Sequence, residues 1–213
     1  MSALSPSEKL FEQFCAANGI PCSRVVAGAD RSPDFIILLN GTKVTCEVKQ
    51  INPNDDDLRE LAELRQEGSA GRYLPNRLRG RLKKDVSPQL KSASLAGCAT
   101  LLVVYDNTPF KSYTDHGDVV QAMFGRNTVT VLLPEDRSLP PQVSAPFFGK
   151  DRGMGPGRNS AVSAVAILDG GPHPPHSLRV YHNPYGAVRL DPLVFASLPV
   201  TQPVLPDTTT VEL

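Results

Sequence analysis

The stretch PDFIILLNGTKVTCEVKQI, residues 33–51, holds two runs of strand-forming side chains separated by Asn40-Gly41. Both turn residues tolerate positive φ, so the pair predicts a two-residue type I′ hairpin. A two-residue loop leaves no freedom of register. Leu39 faces Thr42 and Leu38 faces Lys43, and the same pairing carried outward sets Asp34 opposite Glu47. Lys49, two residues beyond Glu47, points to the same face. Directly opposed residues have Cβ atoms about 4.5–5.5 Å apart, and like charges so placed repel. A divalent cation is the simplest compensation, because hard cations take carboxylate oxygens and complete their shell with water and phosphate oxygens. A lysine beside such a cation can position a water or stabilise charge on a phosphate. The plainer reading is a cross-strand ion pair, with Lys49 diagonal to Asp34. The spacing alone is common, and the derived register favours the cation.

Pro33-Asp34 followed by Glu47-Val48-Lys49 resembles the PD-(D/E)xK nuclease motif. The segment SPSEKLFEQFCAANGI, residues 5–20, resembles the first helix of that superfamily. VVAGADRSPDF, residues 25–35, resembles the strand and loop leading into its aspartate. The order is similar to that of archaeal Holliday-junction resolvases, over roughly the first half of the chain. No Gln-x-x-x-Tyr follows Lys49, so the RecB-like exonuclease branch is not matched. The resemblance implies a restriction-endonuclease-like core and hydrolysis of phosphodiester bonds, most readily in DNA. It implies a Mg²⁺ or Mn²⁺ ion held by Asp34, Glu47 and the Val48 carbonyl, with Lys49 as the third catalytic residue and Glu8 as a further acid by position. The local sequence gives Glu8 another task. Ser5 suits an N-cap, Pro6 the first helical position, and Glu8 the third position of a capping box. Leu10, Phe11, Phe14 and Cys15 then form the buried stripe of that helix.

Composition sets outer bounds. The chain has 213 residues, with Lys+Arg 22 and Asp+Glu 22. That length suits one domain with additions. A balanced charge offers no global positive field to a polyanion, yet it allows a local basic cleft. The four cysteines, Cys15, Cys22, Cys46 and Cys98, show no C-x-x-C pair and read as buried free thiols of a reducing compartment. No basic-then-apolar leader opens the sequence and no apolar run approaches bilayer length, so a cytoplasmic protein without a membrane partner is expected.

Charge is unevenly spread. Asn54 can cap a helix through DDDLRELAELRQEG, where Asp55, Asp56 and Asp57 sit at the positive helix end and need no metal to explain them. From Arg65 to Lys91, eight cations stand against two anions, just after the hairpin. Arg77, Arg79, Arg81, Lys83 and Lys84 are therefore candidate phosphate contacts. By resemblance, Lys84 and Gln89 lie on the helix that flanks the catalytic cleft. A solvated helix face is the plain alternative.

Further on, ATLLVVYDN reads as a buried central strand, DHGDVVQAMFG as a short helix, TVTVLL as another strand, and SAVSAVAILDG with SLRVYHNP as a late pair. Strands interleaved with helices predict an α/β domain with a central mixed β-sheet flanked by helices. The boundaries expected are a single domain over 1–200, with its core at 5–135, and an extended tail over 201–213. FFGKDRGMGPGR, residues 147–158, carries Gly149, Gly153, Gly155 and Gly157 and reads as a mobile loop. Its Lys150, Arg152 and Arg158 could close over a nucleic-acid backbone. It lacks the Lys-Ser/Thr ending of a P-loop. The proline-rich stretch from Pro172 reads as extended and loop-like. It offers a contact to a second copy or a protein partner, with His173 and His176 as surface histidines. Two readings compete with the nuclease: a nucleic-acid-binding module that does not cut, and a protein-interaction subunit on the same fold.

Overall fold

The computed structural model describes residues 4–25, 32–69, 76–84, 88–111, 113–136, 138–145, 147–148, 151–170 and 176–205. Helix α1 (Pro6–Ala17) leads into β1 (Cys22–Arg24), β2 (Phe35–Leu39) and β3 (Thr42–Ile51), an antiparallel meander. Asn40 and Gly41 adopt φ of 45° and 80°, the paired positive values of the expected turn. The ladder runs from Leu39↔Thr42 to Phe35↔Cys46, the register derived from that turn.

Parallel neighbours need a crossover, and helices supply it. α2 (Asp55–Glu67), α3 (Arg77–Lys84) and α4 (Pro88–Leu95) bring the chain to β4 (Ala99–Asp106), parallel to β3. A second crossover contains α5 (His116–Phe124) and four two-residue strands: β5 (Asn127–Thr128), β6 (Val131–Leu132), β7 (Gln142–Val143) and β8 (Phe147–Phe148). It returns at β9 (Ala164–Asp169), parallel to β4, and β10 (Ser177–His182) pairs with β9 antiparallel. A 3-10 turn (Pro192–Phe195) and β11 (Val200–Thr201) follow. The seven-stranded sheet has the order β1-β2-β3-β4-β9-β10-β11.

Both faces of this mixed sheet are covered, which is why all eight residues of β4 are buried. On one face, Phe11 and Phe14 of α1 and Phe195 of the 3-10 turn pack on Phe35, Cys46, Leu101 and Val180. On the other, Leu78 and Leu82 of α3, Leu90 of α4 and Met123 of α5 pack on Leu102, Val104 and Ile167. Cys15 and Cys46 are buried as expected, whereas Cys22 and Cys98 are half-buried, and all four are free thiols.

Four expectations are corrected. TVTVLL does not join the sheet. Its residues fall in the two-residue strands β5 and β6, which pair with β8 and β7, and Val131, Leu132 and Leu133 are exposed. The Pro-rich end is not only loop: β11 adds a parallel strand to β10, and Thr201, assigned to the tail, is part of it. Residues 206–213 lie outside the described residues. The turn at 151–158 is hydrogen-bonded rather than loose, with the Gly155 and Arg158 backbones exchanging bonds of 3.1 and 2.9 Å. Of the glycines that suggested mobility, Gly153 instead allows close approach, since a Cβ there would collide with the Ala122 carbonyl oxygen, and Gly157 supplies a positive φ of 71°. His176 is buried, not a surface residue, and sits against Gly170. Lys150 and His173 lie outside the described residues.

One polar cluster ties the crossover together. Asp57 is buried and accepts from Arg77 Nη1 at 2.7 Å, the Tyr113 hydroxyl at 2.7 Å and the Asn54 amide at 2.9 Å. Arg77 also lies over the Tyr113 ring, 4.9 Å from its centroid. Removing the arginine would take from this buried carboxylate a hydrogen bond and the charge paired with it at 2.7 Å. Arg77→Ala should therefore lower unfolding stability by about 3 kcal/mol. Arg79→Ala, on the outer side of the same helix, should change it by less than about 0.5 kcal/mol. Denaturant titration of both variants checks this, and equal effects would refute the tethering role of Arg77.

Candidate functional site

Side chains alternate along β3. Val44, Cys46 and Val48 belong to the core beneath α1, so Thr45, Glu47, Lys49 and Ile51 face the other way. Phe35, Ile37 and Leu39 take the α1 side of β2, which leaves Asp34 facing with Glu47. The Asp34–Glu47 pairing is not a regular ladder pair. β2 begins at Phe35, and Asp34 is held by three separate bonds. Its amide donates to the Cys46 carbonyl at 3.1 Å, its carbonyl accepts from the Val25 amide at 3.0 Å, and its Oδ2 accepts from the Val48 amide at 2.7 Å. The aspartate is thereby clamped between β1 and β3.

Glu47 is 1% exposed, and its β4 neighbour in register is Leu102. Lys49 Nζ lies 2.5 Å from its Oε1. Its Oε2 is buried and has no hydrogen-bond partner among the described residues. A buried carboxylate oxygen without a partner is uncommon and calls for an explanation such as an ion or a water. The charges act on one another as the geometry requires. Burial pushes the Glu47 carboxyl above the ordinary range, the Lys49 hydrogen bond opposes this, and the charges of Asp34 and Glu8 add to the rise. Burial likewise raises Asp34, against the pull of the Val48 amide, and Glu8 raises it further while Lys49 and Arg24 lower it. Asp34, Glu47 and Lys49 thus lie together, and Glu8 acts on both carboxyls through its charge.

Glu8 performs the capping task read from its sequence. Its Oε2 accepts from the Ser5 amide at 2.6 Å, and its own amide donates to Ser5 Oγ at 3.3 Å. A residue missed in the sequence explains why this helix start reaches the carboxylates. Gln50 Oε1 accepts from the buried Ser7 amide at 3.1 Å, pinning α1 to the end of β3. The signal was available, because a polar side chain follows Val44, Cys46 and Val48 on the apolar side of the strand. Arg24, another member of the local field, was also missed.

The basic cluster divides. The Arg77 guanidinium is engaged inside the protein, on Asp57 and on the Asn52 carbonyl at 2.6 Å, so it fastens α3 beside the end of β3. Arg79 is half-exposed and Arg81 exposed on the same helix. The side chains of Lys83 and Lys84 lie outside the described residues. Gln89 does not share a helix with Lys84, as the resemblance implied: Lys84 ends α3, and Gln89 is half-exposed on α4, which packs on β3 and β4.

Among the described residues, no three His, Cys, Asp or Glu groups converge tightly enough to hold a metal by side chains alone. A site drawing on Asp34, Glu47 and a backbone carbonyl needs only two, and the orphan Glu47 Oε2 fits that donor set. Also among the described residues, no helix is long and apolar enough to cross a membrane. No family model matches the chain, and no curated protein or solved structure matches it.

The raised carboxyls have a consequence for stability. The folded protein binds protons that the unfolded chain releases, so this pair favours folding below the ordinary carboxylate range and loses that advantage as pH rises. Asp34→Asn keeps an acceptor for the Val48 amide and removes the charge. Its melting temperature should exceed that of the wild type at pH 8, and the difference should shrink as pH falls and vanish only below the ordinary aspartate value of 3.8. A difference that grew toward low pH would contradict the electrostatic account.

Proposed function

We propose that the protein is a divalent-cation-dependent nuclease of the PD-(D/E)xK type, built on a restriction-endonuclease-like core and cutting phosphodiester bonds in DNA. One observation carries the reading. Asp34, Glu47 and Lys49 meet on one face of the hairpin, and a buried Glu47 oxygen lacks a partner among the described residues. Asp34, Glu47 and the Val48 carbonyl would hold Mg²⁺ or Mn²⁺. The cation supplies a Lewis acid that offsets charge on the phosphate and lowers the pKa of water.

The chain's own residues perform the rest. The Val48 amide fixes the orientation of the Asp34 carboxylate. The apolar wall at Leu102 excludes water from the buried side of Glu47 and strengthens every charge interaction there. Lys49 is about one-third exposed, so its ammonium can turn from Glu47 toward a phosphate or a water. Glu8 contributes negative field while remaining a helix cap. Arg79 and Arg81 offer phosphate contacts that position a strand without reading its sequence.

One observation favours a module that binds without cutting. Lys49 and Glu47 already neutralise one another. The test is cleavage of single-stranded, duplex and branched DNA by the purified chain with Mg²⁺ or Mn²⁺. Asp34→Asn, Glu47→Gln and Lys49→Ala should each lower the rate by at least about 10³-fold, and a double variant should lose little more, because the three act as a unit. The divalent ion should also raise the melting temperature of the wild type and of Lys49→Ala, but not of Asp34→Asn. Binding without cleavage would select the non-cutting module, and cleavage that ignores a chelator would overturn the mechanism.

A further inference from the structure

A cavity of about 1000 Å³, with neither Asp34 nor Glu47 in its lining, lies between the β5–β8 ribbon and the turn at 151–158. That volume lies at the top of the roughly 300–1,000 Å³ span of small-ligand sites. Thr128 and Phe147 are cross-strand partners in the ribbon, so hydroxyl and ring line the same wall. Arg126 precedes the ribbon, and Arg152 and Arg158 line the turn, with Asp151 as the opposing charge. Among the described residues the Arg126 guanidinium has no partner.

The turn is built rather than draped. The Gly153 and Met154 amides donate to Ala122 and Met123 at the end of α5, at 2.9 and 2.7 Å. Arg152 Nη2 donates to the Phe148 carbonyl at 3.1 Å and Arg158 Nη1 to the Arg152 carbonyl at 3.1 Å. These bonds hold the two guanidinium groups, and the Arg158 fork keeps further N–H groups for a ligand. Arginine forks bind phosphate, and an aromatic ring supplies a stacking platform for a base. A base inside a duplex is already stacked and cannot enter a concavity without being extruded.

We propose that this cavity takes one nucleotide of a single-stranded nucleic-acid segment, with its phosphates on Arg126 and Arg158 and its base against Phe147. The proposal rests on the nuclease reading for its link to cleavage and deepens it by naming the substrate class, an unpaired strand or end. Helix α3 connects the two places. It begins with Arg77 bonded to Asn52, just past β3, and Asn159 Nδ2 donates to the Leu82 carbonyl near its other end at 2.7 Å. Arg79 and Arg81 lie on the helix between them.

The test is fluorescence anisotropy of labelled oligo-dT and of a matched duplex with the full chain, in chelator so that nothing is cut. The wild type should bind oligo-dT more tightly than duplex. Arg126→Ala/Arg158→Ala should weaken oligo-dT binding about tenfold or more and flatten its salt dependence by about 0.7 for each phosphate that is no longer neutralised. Phe147→Leu should lose about fivefold or more with the salt slope unchanged. Arg126→Ala alone, at an exposed position, serves if the double variant melts early. Wild-type affinity in these variants, preference for duplex, or binding of dTMP without oligo-dT would overturn the proposal. Cleavage assays separate the two readings. Oligo-dT binding that depends on the arginines, without any cleavage, sinks the nuclease and leaves the cavity. Cleavage with arginine-independent binding sinks the cavity alone.

Discussion

The register of one hairpin governs the chemistry of this protein. Asn40 and Gly41 accept the positive φ values that a two-residue turn demands, and from that turn every side chain of β2 and β3 is assigned to a face. A slip by one residue would send Glu47 and Lys49 under α1 and bring Cys46 and Val48 to the polar side. The apolar contacts of Phe35, Cys46 and Val48 with α1 therefore hold the acidic face in place as much as they hold the core. Asp34 needs more than register, because the ladder ends before it. Its backbone bonds to Val25 and Cys46 and its carboxylate bond to Val48 complete the positioning.

This arrangement of charges works against the folded state. Two carboxylates raised by burial, both raised further by Glu8 at the start of α1 and Glu47 also by Asp34, form a region that the fold would stabilise by losing charge. Local departures from best packing of this kind concentrate where a protein binds or reacts. Lys49 relieves only part of the field, since one Glu47 oxygen has no partner among the described residues. A cation would relieve the rest, which is why the electrostatic cost and the proposed function have the same origin.

What was legible in the sequence was what local rules decide. The hairpin register, the Ser5–Glu8 capping box, the Asn54 cap and the buried β4 follow from turn chemistry, capping and apolar run length, and each formed as read. What was not legible depends on distant partners. Asp57 was assigned correctly to a helix start, yet its burial between Arg77 and Tyr113 joins residues 20 and 56 positions away. TVTVLL has the composition of a core strand, but Val129, Val131, Leu132 and Leu133 are exposed and the segment pairs in two short ribbons instead. The pairing of β11 with β10 could not be seen through the prolines around it, because a two-residue ladder leaves almost no pattern.

The division of the basic cluster shows why charge counting alone misjudges a surface. Arg77, Arg79 and Arg81 are equivalent in a tally, and the hydrogen-bond partners make them different. Arg77 is enclosed by Asp57, Tyr113 and the Asn52 carbonyl, so it contributes little external field and fixes where α3 begins. Because that anchor lies just beyond β3, the outward arginines of α3 are held at a set distance from Lys49. The far end of the helix is set independently, by Asn159 bonding to both Leu82 and Gly153. A helix fixed at both ends keeps the acidic face and the arginine-lined cavity in constant relation. A flexible segment could not, since each ligand would then have to bear the entropy of ordering it.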